Sequence, residues 1–308
     1  MVLAIAGVFD RVWFWTVLYA SLYGRMQSWQ FGAWALQYVG SGILSAAPVI
    51  WLLALTGSLL VWWKKDNRQA AWFMVGFSIA SAATVVPGLH FRHHYFIPML
   101  PAIGLWAGAA VQTVYEAMLR RSNAKIWLGL PMVVLILGAG DMLFRHRALY
   151  FVMSPGQVSR ALYDASPFPE SIEIARYVAD HTNPDDRIAV IGSEPQIYFY
   201  SRRRSATGYI YTYPLMEPQR YARRMEQQMI KEIETAHPRV LIAVHVPIQP
   251  PDSLFAWLDR YAAQDFETVG LVTIKGGEQG VFHWDSSARG IMPDSEAYIR
   301  ILKRKETF

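Results

Sequence analysis

The chain has 308 residues, no cysteine, a formal net charge of +5, and 53% of its residues are hydrophobic. The lack of cysteine excludes disulfides, thiolate catalysis and Cys-ligated zinc. The positive excess does not mark a nucleic-acid binder: nine Lys or Arg face four Asp or Glu up to Phe144, and twenty of each follow, so the whole excess lies among apolar segments, where it bears on membrane orientation.

Met1–Phe9 (MVLAIAGVF) is apolar and stops at Asp10-Arg11, well short of the ~20 residues that a spanning helix needs. It reads as the end of a helix whose beginning is missing, and the chain then reads as the C-terminal part of a larger membrane protein. Asp10–Gly40, rich in Trp and Tyr, reads as one or two helices lying in the outer interface. The alternative, a span over Met1–Ala20, buries Asp10 and Arg11 midway at about 2.5–3.5 kcal/mol each. Four long apolar runs follow, and they predict four transmembrane helices at 41–63, 70–89, 95–115 and 126–144. Pro87-Gly88 ends or kinks the second. Pro98 and Pro101 sit in the first turns of the third, where a missing N–H costs least. Asp141 lies near the exit of the fourth. Ten of the twelve Trp fall before Phe144, as expected of side chains anchored at a lipid–water boundary.

The short loops set the orientation. Lys64–Arg68 and Arg120–Lys125 are both basic, which places them in the cytoplasm. The loop His90–His94 then faces outward, and so does everything after the fourth span. Arg145 and Arg147 argue mildly against this. Within HFRHHYF, Arg92, His93, His94 and Tyr95 form the sharpest polar cluster of this half. Arg suits bidentate phosphate recognition and His supplies hydrogen bonds or charge. The cluster reads either as a site for the phosphate of a lipid carrier or as a loop touching ordinary phospholipid headgroups. No nearby carboxylate completes a metal site with these histidines.

From 145 to 308 the pattern becomes α/β. Helices are predicted at Pro169–His181, Glu194–Ser201, Pro218–Ala236 and Ser253–Ala262. Strands are predicted at Arg187–Gly192, Ala206–Tyr211 and Arg239–Val244, with a closing hairpin of Phe266–Lys275 and Gly280–Trp284. Alternation of this kind implies a Rossmann-like, mostly parallel sheet covered on both faces. No GxGxxG or P-loop appears. Ligands in such sheets favour the carboxyl ends of strands, which makes Ser193, Glu194, Gln196 and His245 candidates for a polar site. Each also reads as capping or loop chemistry, Ser193 as a helix N-cap in particular. Arg202, Arg203 and Arg204 read as a solvated face or as a phosphate-binding cluster. No hydrolase triad stands out, and no catalytic residue is identified.

HFRHHYFIPMLPAIGLWAG, with Tyr95, Phe96, Pro98, Leu100 and Pro101 in the pattern Y-F-x-P-x-L-P, resembles the late transmembrane region of bacterial GT-C-fold glycosyltransferases. That group includes protein mannosyltransferases and the aminoarabinose transferase of lipid A. The stretch PFPESIEIARYVADHTNPDDRIAVIGSEPQIYFYSRRRSATGYIY is similar to the periplasmic domain of members of the group, and the likeness covers most of Ser41–Trp284. The resemblance implies a multi-pass protein of the bacterial inner membrane with a periplasmic C-terminal domain. It also implies sugar transfer from a polyprenyl-phosphate donor to an acceptor that the sequence does not name. Arg92, His93, His94 and Tyr95 carry over as donor-phosphate contacts. The family's catalytic Asp follows its first transmembrane helix; nothing here matches it, and Asp10 does not take that role. A divalent metal would belong to the intact enzyme. The competing reading is a non-enzymatic four-helix membrane protein whose outer domain binds a partner or an envelope polymer.

Overall fold

The structure, a computed structural model, describes residues 2–63, 65–120, 127–245, 252–276 and 279–306. It divides into two compact units, Met1–Val152 and Met153–Phe308.

The first unit is helical: α1 (Val2–Ile5), α2 (Phe9–Trp13), α3 (Ala20–Tyr23), α4 (Trp29–Ala46), α5 (Pro48–Leu60), α6 (Arg68–Ala83), α7 (Leu100–Leu119) and α8 (Leu130–Arg145). Ser28 caps α4, its hydroxyl accepting from the Phe31 N–H at 3.2 Å. The span expected at 41–63 is not one helix. Ala47 leaves the helical region (φ −145°, ψ 58°), and Trp29–Ala46 meets Pro48–Trp63 at 96°. The cause is Pro48, whose ring crowds the preceding residue out of the α region and whose nitrogen cannot donate. α4 therefore runs through the boundary expected at Gly40.

Among the described residues, one helical run, His93–Leu119 at 27 residues, is by itself long and apolar enough to cross a membrane; the bent pair α4–α5 adds a second if taken as one span. α5, α6 and α8 have 13, 16 and 16 residues. Lys64 and the stretch Arg121–Ile126, which holds most of the second basic loop and the start of the expected fourth span, lie outside the described residues.

Small residues let these helices approach closely. A Cβ on Gly57 of α5 would sit 1.8 Å from the Trp106 carbonyl oxygen of α7, and one on Gly138 of α8 would sit 2.6 Å from Val49 Cγ1. Trp106 Nε1 donates to Ser78 Oγ of α6 at 2.9 Å. The outward surfaces are strongly apolar, with Leu59, Trp72, Phe73, Ile79 and Leu137 all exposed.

The second unit is α/β: α9 (Pro155–Tyr163), α10 (Phe168–Asp180), β1 (Arg187–Ile191), α11 (Gln196–Ser201), β2 (Arg204–Ser205), α12 (Tyr213–Met216), α13 (Ala222–Ala236), β3 (Val240–His245), α14 (Asp252–Asp265), β4 (Phe266–Ile274), β5 (Val281–Trp284) and β6 (Ala297–Arg304). The sheet order is β2-β1-β3-β6-β4-β5. β1 is parallel to β2 and β3, but β3–β6, β6–β4 and β4–β5 are antiparallel. The sheet is thus mixed and not mostly parallel. The difference is β6, a strand the sequence pattern did not reveal, which inserts between β3 and β4. A second correction concerns Ala206–Tyr211: only Arg204–Ser205 pairs as a strand. The expected β4–β5 hairpin is present, with Gly277 and Glu278 of its turn outside the described residues.

β1 and β3 are buried on both faces, as the inner strands of a covered sheet must be. On one face Ile188, Val190, Ile242, Ile299 and Ile301 pack with Ile174 and Val178 of α10. On the other, α14 contacts the sheet through Asp259–Arg300 and Phe255–His245.

At the end of β1, Gly192 has φ +119°, and a Cβ there would lie 2.5 Å from the Val244 carbonyl oxygen. Gly192→Ala is expected to destabilise the second unit by ~2–4 kcal/mol, combining left-handed strain with overpacking. The control is Gly140→Ala in α8, where nothing lies within 4 Å of the new Cβ. Thermal melts that coincide for Gly192→Ala and the unaltered chain would contradict this account.

Candidate functional site

The basic loop of the first unit is built on unusual backbone. Gly88, Leu89 and Phe91 all have positive φ, at 81°, 55° and 43°. For Leu and Phe that region costs roughly 1–2 kcal/mol each, and it persists only where the surroundings over-determine it. They do so here: Phe91, 6% exposed, packs with Ala35 and Val85, while Leu89 Cβ lies 2.9 Å from where a Gly32 Cβ would be. His90 turns inward, stacked on Tyr23 at 4.7 Å and meeting Phe31 edge-on at 6.5 Å. Burial, aided by the nearby Arg92 charge, pushes its pKa down. Arg92, His93 and His94 follow as three consecutive exposed side chains, and His94 packs edge-on against half-buried Tyr95 at 4.8 Å. Arg92, His93, His94 and Tyr95 are thus neighbours by sequence, with the first three side chains exposed, while His90 turns away from them. Neither left-handed position has a sequence signal, since neither is Gly or Asn.

In the second unit, the order β2-β1-β3 makes the carboxyl ends of β1 and β3 a topological switch point. Ser193 (φ 74°) lies there, but its hydroxyl is committed. Its Oγ accepts from Thr212 N at 2.7 Å and Tyr213 N at 2.8 Å, and pairs with Thr212 Oγ1 at 2.9 Å. Ser193 secures the 212–213 turn and does not cap α11, whose preceding residue Pro195 supplies no side-chain cap. His245, at the end of β3, is sandwiched by Tyr298 at 4.2 Å and Phe255 at 4.1 Å. Burial, then the Arg300 charge, push its pKa down to about 4 against the opposing pull of Asp259.

Glu194 is 3% exposed. Gln196 Nε2 donates to its carboxylate and to Ser171 Oγ, the latter at 3.0 Å. Close by, Arg160 of α9 and Glu170 of α10 form a buried ion pair. Arg160 also donates to the Asp164 and Ser166 carbonyls, and Gly280 N donates to Glu170 Oε1 at 2.9 Å. Burial raises the Glu194 pKa to about 7, with the Gln196 hydrogen bond opposing and the Glu170 charge adding. Arg160 and Glu170 carried no sequence signal. An acid in the first turn of a helix reads as ordinary complement to the helix dipole, and nothing local marks an Arg as buried.

The three consecutive arginines do not act together. Arg203 turns inward: Nη2 donates to the carbonyls of Ala179 (2.8 Å) and Thr182 (2.7 Å), Nε to Thr182 Oγ1 (2.8 Å) and Nη1 to the Ser201 carbonyl (2.9 Å). It closes the end of α10, where carbonyls lack partners and a cation is favoured. Arg202, left-handed at the end of α11, and Arg204, on β2, are exposed. Among the described residues, no three His, Asp or Glu side chains converge as a metal site requires. Comparison of the chain with protein-family models, curated proteins and solved structures gives no match.

The Glu194 environment makes the stability of the fold depend on pH. Its pKa is 4.5 when free and about 7 in the fold, so between these values the folded chain holds a proton that the unfolded chain has released. Its contribution to stability is complete below pH 4.5 and lost as pH rises through about 7, a change of ~3 kcal/mol. Relative to Glu194→Gln, the melting temperature of the unaltered chain is expected to fall over that window; parallel curves would refute the assignment. Separately, Arg203→Ala should cost ~2–3 kcal/mol through stranded carbonyls, whereas Arg202→Ala should leave the melt unchanged. Equal effects in the two variants would remove Arg203 from its capping role.

Proposed function

We propose that the chain acts within an inner-membrane glycosyltransferase that uses a polyprenyl-phosphate-linked sugar donor on the outer face, with Arg92, His93, His94 and Tyr95 as the donor-phosphate contacts. The observation that carries this reading is the presentation of three exposed basic side chains on strained backbone anchored by buried Phe91. Backbone held in this way just before the cluster spares part of the ordering cost of binding an anion. Arg supplies a bidentate fork for phosphate oxygens. The loop also lies at the start of His93–Leu119, the helical run long enough to cross a bilayer, which suits a ligand whose phosphate sits at the membrane surface and whose tail lies in lipid.

Two further features support a membrane setting with four apolar helical segments. The first unit turns Leu59, Trp72, Phe73, Ile79 and Leu137 outward, and an apolar surface of that extent fits lipid as its solvent. Its helices approach through Gly57 and Gly138, as helices without a hydrophobic driving force between them do. Tyr23, Phe31 and Gly32 pack on the 88–91 loop, so the aromatic segment and the basic loop share one side. With Lys64–Arg68 and Arg120–Lys125 in the cytoplasm, that side is the periplasm, where the reading also places the α/β unit. It assigns no residue of this chain as catalytic base and routes no step through a metal.

The test is binding of a polyprenyl phosphate to the full chain in lipid nanodiscs. Arg92→Ala should weaken it roughly tenfold, the worth of one charge-assisted contact, and Arg92→Lys by less. Weakening of the same size for phosphatidylglycerol would reduce the loop to a general headgroup contact. Binding indifferent to Arg92→Ala would favour the non-enzymatic protein whose α/β unit engages a partner or envelope polymer.

A further inference from the structure

The α/β unit contains a cavity of about 590 Å³ between α9, α10 and the start of β5, a size typical of small-ligand sites. Gln157, Arg160, Glu170, Glu173, Gln279 and Phe282 supply its chemistry. Glu170 is 2% exposed. One of its oxygens receives Arg160 and the Gly280 N–H; the other, Oε2, is buried with no hydrogen-bond partner. A buried carboxylate oxygen left in this state is costly, and each such case in a folded protein calls for an explanation. Here the Arg160 and Gly280 contacts hold the carboxylate in the wall of the cavity, and exposed Glu173 is the acceptor open to a ligand.

The remaining groups narrow what that donor belongs to. Arg160 is neutralised by Glu170, so Glu173 leaves the lining net negative, which disfavours phosphate and carboxylate ligands. Gln157 Oε1 accepts from the Ser154 N–H at 2.9 Å, which leaves its amide NH₂ as the group it can offer a ligand. Phe282 stands at the end of a ladder of rings that continues through Trp284 at 6.0 Å, Tyr177 at 4.2 Å and His181 at 3.9 Å. The ladder fixes its orientation. Carboxylate acceptors, amides and a rigid aromatic face around one cavity match a ring that carries hydroxyls on its rim and C–H bonds on its face.

We propose that this cavity binds a saccharide, neutral or amine-bearing, with hydroxyl or ammonium protons donated to Glu173 and an apolar sugar face on Phe282. Binding itself is independent of the glycosyltransferase reading; only the role of the bound saccharide as acceptor glycan rests on it.

The experiment is saturation-transfer NMR on the full chain in nanodiscs, with N-acetylated chitotriose, its free-amine counterpart and glycerol phosphate as probes. Saturation of the C–H protons of at least one saccharide is expected, with none for glycerol phosphate. Phe282→Ala and Glu173→Gln should each weaken saccharide binding by roughly tenfold. Glu173 is exposed, so Glu173→Gln tests the site even if Phe282→Ala unfolds, which a thermal melt would reveal. Absence of signal from both saccharides, a stronger signal from glycerol phosphate, or undiminished binding in Glu173→Gln would overturn the proposal. Arg92→Ala should leave saccharide binding intact. Failure of the unaltered chain to bind polyprenyl phosphate, with saccharide binding preserved, would remove the glycosyltransferase reading and leave this site standing.

Discussion

The α/β unit depends on the backbone pairing of one strand. β3 ends a parallel set and β4 begins an antiparallel one, and without a strand between them each would present unpaired N–H and C=O groups along a buried edge. β6 satisfies both, running antiparallel to each neighbour. Its inward residues Ile299 and Ile301 join the core above α10, while Arg300 on the opposite face reaches Asp259 of α14. The same strand stacks Tyr298 on His245 and brings up Arg300, whose charge adds to burial in lowering the imidazole pKa to about 4. The layering that creates the cavity beside α10 therefore follows from a sheet closed through its middle.

Buried charge is the second constraint. Arg160 and Glu170 are removed from water, at a desolvation cost that their mutual attraction need not recover. The pair nonetheless ties α9 to α10, and Gly280 N adds β5 through Glu170. Breaking it would leave an uncompensated charge, so the three elements are committed to one arrangement. Glu194 relieves the excess of carboxylates nearby by retaining its proton to about pH 7. A lining fixed in this manner suits recognition of a ligand through a few well-placed hydrogen bonds.

In the helical unit, strain and close packing act together. Left-handed Leu89 and Phe91 are tolerated because their side chains fill space against α4 and the end of α6. What they achieve is exposure of Arg92, His93 and His94 beside a half-buried, ring-stacked His90, a separation of roles within five residues. Gly57 brings α5 against the backbone of α7 and Gly138 brings α8 against Val49 of α5, while a polar link from Trp106 to Ser78 ties α7 to α6.

Local pattern was enough for much of this. Apolar length marked the helical half, alternation marked the α/β half, and β1, β3, the β4–β5 hairpin, α10, α13 and α14 lie within a few residues of where periodicity and turn chemistry place them. Those features depend on neighbours in sequence. Pro48 was legible as well, and its effect on Ala47 is local; the continuous apolar run around it concealed the break. The other departures depend on partners distant in the chain. β6 is an eight-residue basic-apolar strand whose place in the sheet comes from β3 and β4, Arg203 turns inward because the carbonyl end of α10 lies beneath it, and Arg160 meets Glu170 only when α9 folds onto α10. The sequence by itself determined composition, helix and strand periodicity and the existence of a basic loop. Tertiary structure alone decided sheet direction, which arginines remain exposed and where a buried carboxylate lacks a partner, because each of these is a property of long-range contact and carries no period along the chain.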